Sequence, residues 1–316
     1  MRLKFWGVRG SIPTPISPDA IRSKITTVVQ RIHPSDLASP DTREFFLSQL
    51  PAWLFDYAGG NTACVEVEIN PETAIIFDAG SGLREFGLSV PKRIPVPKDI
   101  HMFFSHFHWD HLQGLPFFSP LVRQDIQISF YSPEPGLKQC LNEQMRAPFF
   151  PVTLENMDGG RSRFIQLEKE PLKIDGAEIT WRRMNHPGGS YSYRVSDGKN
   201  TIIYATDSEL TESDFDKNAE NIAYFHNADL IILDSQYTLG EAVEKFNWGH
   251  SSFSLAVDFA SEWNIKNLCL FHHEPLYNDR KLHNNLQSAQ WYYSHLGKNG
   301  MNIFLAEEGK EVNFPA

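Results

Sequence analysis

One seven-residue stretch constrains this chain more than any other. Residues 105–111 read Ser-His-Phe-His-Trp-Asp-His and follow the apolar run 100–104, which predicts a short buried strand. The stretch holds four side chains that can bind metal: His106, His108, Asp110 and His111. We expect them on a turn that leaves the strand, where side chains can converge. Imidazole and carboxylate donors without a thiolate suit zinc, manganese or iron.

The spacing within this stretch predicts more than one metal ion. His106 and His108 are two residues apart and can face one point, whereas Asp110 and His111 follow after the bend and can face another. A single His-x-His is more often an ordinary pair of surface or core residues. The complete string directly after an apolar strand favours a metal site.

The His-x-His-x-Asp-His string is the signature of the metallo-β-lactamase superfamily, which the chain resembles from end to end except at residues 16–53. Residues 145–151 match the Met-x-x-Pro-x-Phe-Pro stretch of its phosphodiesterase-like branch. The resemblance implies an α/β fold: one domain over residues 1–316, an αββα sandwich of two mixed β-sheets with helices outside. It also implies a binuclear metal site at one edge of the sandwich.

Composition narrows the partners and the compartment. The net charge of −10 argues against an extended nucleic acid as partner, although bound divalent cations would still allow a small phosphorylated substrate. Three widely spaced cysteines fit a reducing compartment. We found no apolar leader and no stretch of membrane-spanning length, so we expect a cytoplasmic protein without a membrane partner.

Residues 16–53 are predicted to be a helical insertion, with helices over residues 18–32 and 41–50. Asp41 and Glu44 fit a capping box at the start of the second helix. The segment is too apolar for a free loop. It is expected to pack on the body, to cover the cleft or to form a homodimer contact, and the sequence does not choose among these.

The resemblance completes the first metal site and adds a supporting residue. His186 follows a predicted strand and joins His106 and His108 as the third ligand. Asp78 ends another strand before a glycine turn and is expected to support the metal loop from behind, because metal-bound histidines usually need an oriented partner. Arg9 lies in an opening loop that the phosphodiesterase-like branch shares, so it is a candidate neighbour of the site.

Asp207, at a strand end, matches the bridging ligand of the superfamily. Asp214 and Asp216 compete for this role, but they lie in a charged helical stretch and are expected to be solvated. The resemblance favours His272 over His273 as the last ligand, because the family motif places this ligand directly after the strand and three residues before a proline, as His272 stands before Pro275. The second site then has three residues of its own: Asp110, His111 and His272.

Asp234, His250 and His272 occur in the same order as functional residues of tRNA 3′-processing endonucleases of this superfamily. There the histidine is followed by Ser-Thr, whereas His250 is followed by Ser251 and Ser252. The resemblance thus implies catalytic roles for three residues: Asp110, His250 and Asp234. The chain has no long, basic, glycine-rich arm of the kind that marks a tRNA endonuclease.

These residues predict a hydrolase with two divalent ions, zinc by preference and manganese or iron as alternatives. The ions would activate a water and neutralise charge on the attacked group. His250, oriented by Asp234, would bind a phosphate oxygen or protonate the leaving oxygen. The favoured function is a phosphodiesterase acting on small or cyclic phosphodiesters. The alternatives are a lactone, thioester or β-lactam hydrolase, an RNA 3′-processing nuclease and a non-catalytic metal-stabilised binding protein.

Overall fold

Two β-sheets of seven strands each organise the computed structural model, which describes residues 1–314. In chain order the strands are β1 (Arg2–Gly7), β2 (Cys64–Asn70), β3 (Thr73–Phe77), β4 (Asp99–Phe103), β5 (Gln127–Ser132), β6 (Arg163–Gln166), β7 (Leu172–Ile174), β8 (Ala177–Met184), β9 (Ser190–Ser196), β10 (Thr201–Ala205), β11 (Leu230–Asp234), β12 (Asn267–Phe271), β13 (Asn302–Leu305) and β14 (Glu311–Asn313).

The two sheets have the same internal plan. The first has the order β14-β1-β2-β3-β4-β5-β6, antiparallel up to β3 and parallel from β3 to β6. The second has the order β13-β12-β11-β10-β9-β8-β7, parallel from β13 to β10 and antiparallel from β10 to β7. Each sheet therefore carries parallel strands whose carboxyl ends can meet at one edge.

The space between the sheets is filled by large buried side chains from both. Phe77 of the first sheet stacks on Tyr204 of the second, with ring centroids 5.2 Å apart. Phe103 meets Tyr193 edge to face at 5.4 Å. Such aromatic burial dominates the energy of a core, and a buried tyrosine must still satisfy its hydroxyl. Both tyrosines do so toward the edge that carries the candidate site, as described below.

Helices lie outside the two sheets. They are α1 (Pro18–Val29), α2 (Pro40–Ser48), α3 (Leu83–Ser89), α4 (Leu137–Gln144), α5 (Leu154–Asp158), α6 (Glu212–Phe215), α7 (Ala219–Phe225), α8 (Leu239–Glu244), α9 (Phe253–Glu262) and α10 (Asp279–His295). One outer core joins the first sheet to α3 and α4, and a second joins the other sheet to α7, α9 and α10. The predicted αββα sandwich is therefore confirmed. No helix within residues 1–314 is long and apolar enough to cross a membrane.

The segment 16–53 contains α1 and α2, each shorter at its carboxyl end than the sequence suggested. Neither helix has a buried residue. The second helix is capped by Ser39, which shares a capping box with Thr42, so the assignment of Asp41 as the cap was wrong. Lys24 attaches α1 to the body through Asp279, at 2.6 Å.

Candidate metal centre

The metal loop leaves the first sheet at the end of β4 and is fixed by Asp78, which follows the parallel neighbour β3. One Asp78 oxygen accepts a hydrogen bond from the Ser105 amide at 2.7 Å. The other accepts from the Ser105 hydroxyl and from His111 Nδ1, both at 2.7 Å, and from the Tyr204 hydroxyl at 2.8 Å. Tyr193 donates to the Phe104 carbonyl at 2.6 Å. The tyrosines of the second sheet thus hold the loop of the first.

Three residues at the ends of strands adopt left-handed backbone conformations: Asp78 and His272 directly follow β3 and β12, and Asp207 is the second residue after β10. Asp78 has a φ of 60°, Asp207 of 44° and His272 of 61°. Such values are uncommon outside glycine and cost about 1–3 kcal/mol each, so they persist where the surroundings fix them and cluster at functional sites. Here each one turns a polar side chain back across the open edge between the sheets.

The first group of donor atoms comes from His106, His108, His186 and Asp207, and these atoms all lie within 4.8 Å of one another. His106 Nε2 and His186 Nε2 are each 3.7 Å from Asp207 Oδ2. His108 Nδ1 lies 3.2 Å from His186 Nε2. The structure therefore brings together the four residues predicted to surround one metal ion.

The second group consists of Asp110, His111 and His272. His111 Nε2 and His272 Nε2 lie 3.2 and 3.3 Å from Asp110 Oδ2. The same two nitrogens lie 3.1 and 3.2 Å from Asp207 Oδ1. Asp207 thus presents one oxygen to each group, which is the arrangement a bridging carboxylate requires.

The donor sets fit divalent metal ions. Ligand atoms at 2.0–2.1 Å from zinc in a tetrahedral site are roughly 3.3–3.4 Å apart, close to the separations in the second group. Within residues 1–314, His106 Nε2 and His111 Nε2 are buried without a hydrogen-bond partner. Buried polar atoms are nearly always satisfied, so two imidazole nitrogens that face carboxylates without a hydrogen bond fit a role as metal ligands.

Most of these imidazoles are oriented through their other nitrogen. The Gly249 carbonyl accepts from His186 Nδ1 at 2.9 Å, and Gln236 Oε1 accepts from His272 Nδ1 at 3.0 Å. Ser105 Oγ lies 3.0 Å from His106 Nδ1. The sequence analysis did not find these orienting groups, because no spacing rule relates them to the histidines they serve.

Burial and neighbouring charge shift the pKa values of the histidines in opposite directions in the two groups. Burial is the main cause that lowers the pKa of His106, His108 and His186, so these rings are neutral and ready to bind metal. Burial acts in the same sense on His111, but Asp110 and other carboxylates outweigh it and raise the pKa of His111 well above its usual value.

His250, which the sequence analysis predicted to lie outside the metal ligands, lies beside both groups. Its Nδ1 is 2.7 Å from Asp234 Oδ2, and its ring stacks on that of His272 with centroids 5.0 Å apart. A His250 nitrogen also lies within 4.8 Å of donor atoms of Asp207 and His272, close enough for a ligand. Burial lowers the pKa of His250, but Asp234 and the site carboxylates raise it to about 9.

The loop that carries His250 is itself held in place. Glu209 accepts hydrogen bonds from the Asn247 and Gly249 amides, both at 2.9 Å. Gly249 has a φ of 91°, and a Cβ there would lie 2.1 Å from His186 Nδ1. Only glycine permits this approach. Glu209 therefore positions both the Gly249 carbonyl, which orients His186, and the ring of His250. Sequence reasoning overlooked Glu209.

Several other candidates lie away from the donor atoms. His273 is buried and paired with the Ala306 carbonyl at 2.9 Å, and burial lowers its pKa to about 3. Arg9 is buried and donates to carbonyls of Gly59 at 2.8 Å and Tyr277 at 2.8 Å, so it braces loops. The Ser11 amide, two residues on, instead donates to Asp110 Oδ2 at 2.8 Å.

Asp214 and Asp216, the alternatives to Asp207 as bridging ligand, differ in exposure. Asp216 is exposed, as expected. Asp214 is buried, so its predicted solvation was wrong. Its carboxylate accepts hydrogen bonds from the amide and hydroxyl of Thr211, both at 2.9 Å, and caps α6.

The chain is similar in sequence and fold to known proteins. A family model described as "Beta-lactamase superfamily domain" matches residues 73–273. A ribonuclease Z of Prochlorococcus marinus (strain NATL1A) is 23% identical over 254 residues, which cover 64% of this chain and 78% of that protein.

Solved structures show the same fold. A diphosphatase from the PhnP family superposes with a TM-score of 0.63 at 17% identity, covering 99% of this chain and 98% of its own. The short form of human tRNase Z superposes with a TM-score of 0.62 at 18% identity, covering 100% of both chains. Because the matched family region spans well over half of the sequence, the chain belongs to the β-lactamase superfamily domain family and is a metal-dependent hydrolase of the metallo-β-lactamase fold.

Proposed function

We propose that this hydrolase is binuclear and cleaves small or cyclic phosphodiesters. The observation that carries the proposal is the His250–Asp234 pair beside the two donor groups. Phosphodiester cleavage needs charge neutralisation on the phosphoryl oxygens and a proton for the leaving oxygen. The donor groups and the pair supply the two requirements side by side.

The donor groups would hold two divalent ions, with Asp207 shared between them and zinc favoured by the nitrogen-rich set. When bound, such ions polarise a phosphoryl oxygen and lower the pKa of a water molecule. Manganese or iron would fit the same donors. The Ser11 amide fixes the orientation of Asp110, which keeps this carboxylate turned toward the second position.

His250 is assigned the proton transfer. Asp234 is fully buried and holds His250 Nδ1, so the imidazolium is stabilised and its Nε2 points away from Asp234. The Asp234 carboxylate is in turn fixed by the Ser208 and Gln236 amides at 3.2 and 3.1 Å. His250 would give its Nε2 proton to the leaving oxygen as the P–O bond breaks, and solvent would protonate the ring again after the alcohol product leaves, the role expected of a general acid.

A second candidate is RNA 3′ processing, favoured by the relatives and structural neighbours named ribonuclease Z and tRNase Z. The same groups would perform the same chemistry on a longer substrate. The net charge of −10 and the absence of a basic arm in the sequence favour the smaller substrate.

We further propose a single domain over residues 1–316, interrupted by residues 16–53. The strands that flank this segment, β1 and β2, pair directly with each other. The Thr14 amide donates to the Gly60 carbonyl at 2.7 Å, so the chain leaves and re-enters the sheet at one place. A closed loop of this kind is what an insertion requires.

The test is a substrate panel with protein stripped by chelator and reloaded with zinc or manganese. It contains bis(p-nitrophenyl) phosphate, a cyclic nucleotide, a lactone and a tRNA precursor with a 3′ trailer. We expect turnover of the first two, lost on chelation and restored by metal. Preference for the lactone, or cleavage of the precursor far above the small diesters, would contradict the proposal.

A further inference from the structure

A large apolar cavity adjoins the candidate site. Its volume is about 620 Å³, within the range of pockets that hold small molecules. Its walls come from α8, from the start of α9 and from the far end of α10. His250 is one of its lining residues and also belongs to the cluster with Asp207 and His272. The cavity therefore begins at the residue assigned to proton transfer.

The cavity wall is unusually rich in exposed apolar side chains. Leu239, Val243 and Phe246 are 62%, 72% and 71% exposed, and Trp291 on the opposite side is 63% exposed. Soluble proteins rarely expose so many large apolar groups together without a use for them.

The charged residues of the wall exclude a polyanion. Within residues 1–314, no lysine or arginine lines the cavity, and its two acidic residues are Glu209 and Asp258. Both carboxylates already accept hydrogen bonds, Glu209 from the Gly249 amide and Asp258 from the Tyr292 hydroxyl at 2.8 Å. A second phosphate placed away from His250 would meet these two acidic residues and no lysine or arginine.

We propose that this cavity binds an uncharged, aromatic or otherwise apolar substituent on the leaving-group side of the substrate. That this substituent belongs to a substrate rests on the proposed function, whereas its size and its apolar character follow from the cavity. The substrate class is then a diester with one phosphate and a bulky neutral alcohol or phenol. Contacts remote from the phosphorus would act equally on the bound and reacting substrate, so they lower KM and leave kcat unchanged.

The experiment separates binding from turnover. We would titrate 2-naphthol, a model of the neutral leaving group, into metal-free protein by calorimetry. We would also measure kcat and KM for bis(p-nitrophenyl) phosphate with metal-loaded protein. The variant is Val243→Asp, which places a charge on the wall at an exposed position. The control is Val122→Asp, a valine of 59% exposure that does not line the cavity.

We expect 2-naphthol to bind the unmodified protein at one site and Val243→Asp to weaken it about tenfold or more, since apolar contact is lost and a carboxylate must be desolvated. KM for the diester should rise by a similar factor with kcat unchanged. Val122→Asp should alter neither quantity.

Absence of 2-naphthol binding, or equal binding by Val243→Asp, would overturn the proposal. A dimer that dissociates on Val243→Asp, seen by sedimentation, would also overturn it, because the cavity would then be an interface between two copies. If 2-naphthol binding behaves as expected while no phosphodiester is turned over, the proposed function fails and the cavity assignment stands.

Discussion

The two donor groups on either side of Asp207 differ in charge and exposure. The first has three histidines of its own, and one of them, His108, is exposed. The second has a buried carboxylate, Asp110, and a buried His111 whose pKa is raised by its acidic neighbours. A cation in the second position faces two carboxylates directly, with Asp78 behind His111. We infer that the second position binds metal more tightly and that the first exchanges metal with solvent more readily.

The largest expected effect is the loss of one metal from either side. His186→Ala should empty the first position and leave the second occupied, whereas His272→Ala should do the reverse. Each removes a direct ligand, so the affinity should fall by more than the roughly 10–100-fold seen when only an orienting partner is lost. Elemental analysis after dialysis measures this. His273→Ala is the matched control, and loss of metal from that variant would reverse our assignment of the two neighbouring histidines.

His250 should affect turnover without affecting either metal. His250→Ala removes the proposed acid, so kcat should fall by about 10²–10⁴-fold while the metal content stays at the unmodified value. Asp234→Asn should also lower kcat, because it removes the negative charge beside His250. If His250→Ala releases a metal ion, then His250 is a ligand and the clean division into two groups is wrong.

Substitution of the orienting groups should lower metal affinity by less than substitution of the ligands does. Gln236→Met removes the acceptor of His272 Nδ1 and should weaken the second position by about 10–100-fold. Ser105→Ala removes the hydroxyl beside His106 Nδ1, but also a donor to Asp78, so it should disturb both positions. A competition titration with a coloured chelator distinguishes the two patterns. Equal weakening of both positions by Gln236→Met would contradict the separation.

The smallest effect is the pH dependence of metal binding. The raised pKa of His111 means that this ring is protonated below that value and must release a proton to bind metal. Affinity at the second position should therefore rise with pH, by up to tenfold per unit while His111 remains protonated. Affinity at the first position should change little above neutral pH, because burial lowers the pKa values of His106 and His186. Proton release measured by calorimetry in buffers of different ionisation enthalpy checks this, and equal release from both positions would contradict it.

Local sequence was sufficient for only part of this site. Four potential ligands within residues 106–111 could be recognised because a tight turn brings sequence neighbours together. His186, Asp207 and His272 required the family resemblance, since their approach depends on how two sheets stack. The fold followed from that resemblance together with the apolar runs.

Other features depend on contacts that no spacing rule encodes. Gln236, Glu209 and Tyr204 act through hydrogen bonds to residues on other elements, and nothing in their local sequence distinguishes them. The burial of Asp214 was not predicted, because the sequence of a charged helical stretch does not show that this carboxylate bonds back to Thr211 at the start of α6. The role of residues 16–53 as a cover or a homodimer contact stays a prediction.

A binuclear site depends most on Asp207 serving two metal ions at once. The direct measurement is a zinc titration of chelator-stripped protein and of Asp207→Ala, followed by calorimetry and elemental analysis. We predict two ions per chain for the unmodified protein, bound with different affinities, and weaker binding at both positions in Asp207→Ala. A maximum of one ion per chain, or an Asp207→Ala variant that loses one ion and keeps the other at full affinity, would contradict the binuclear site.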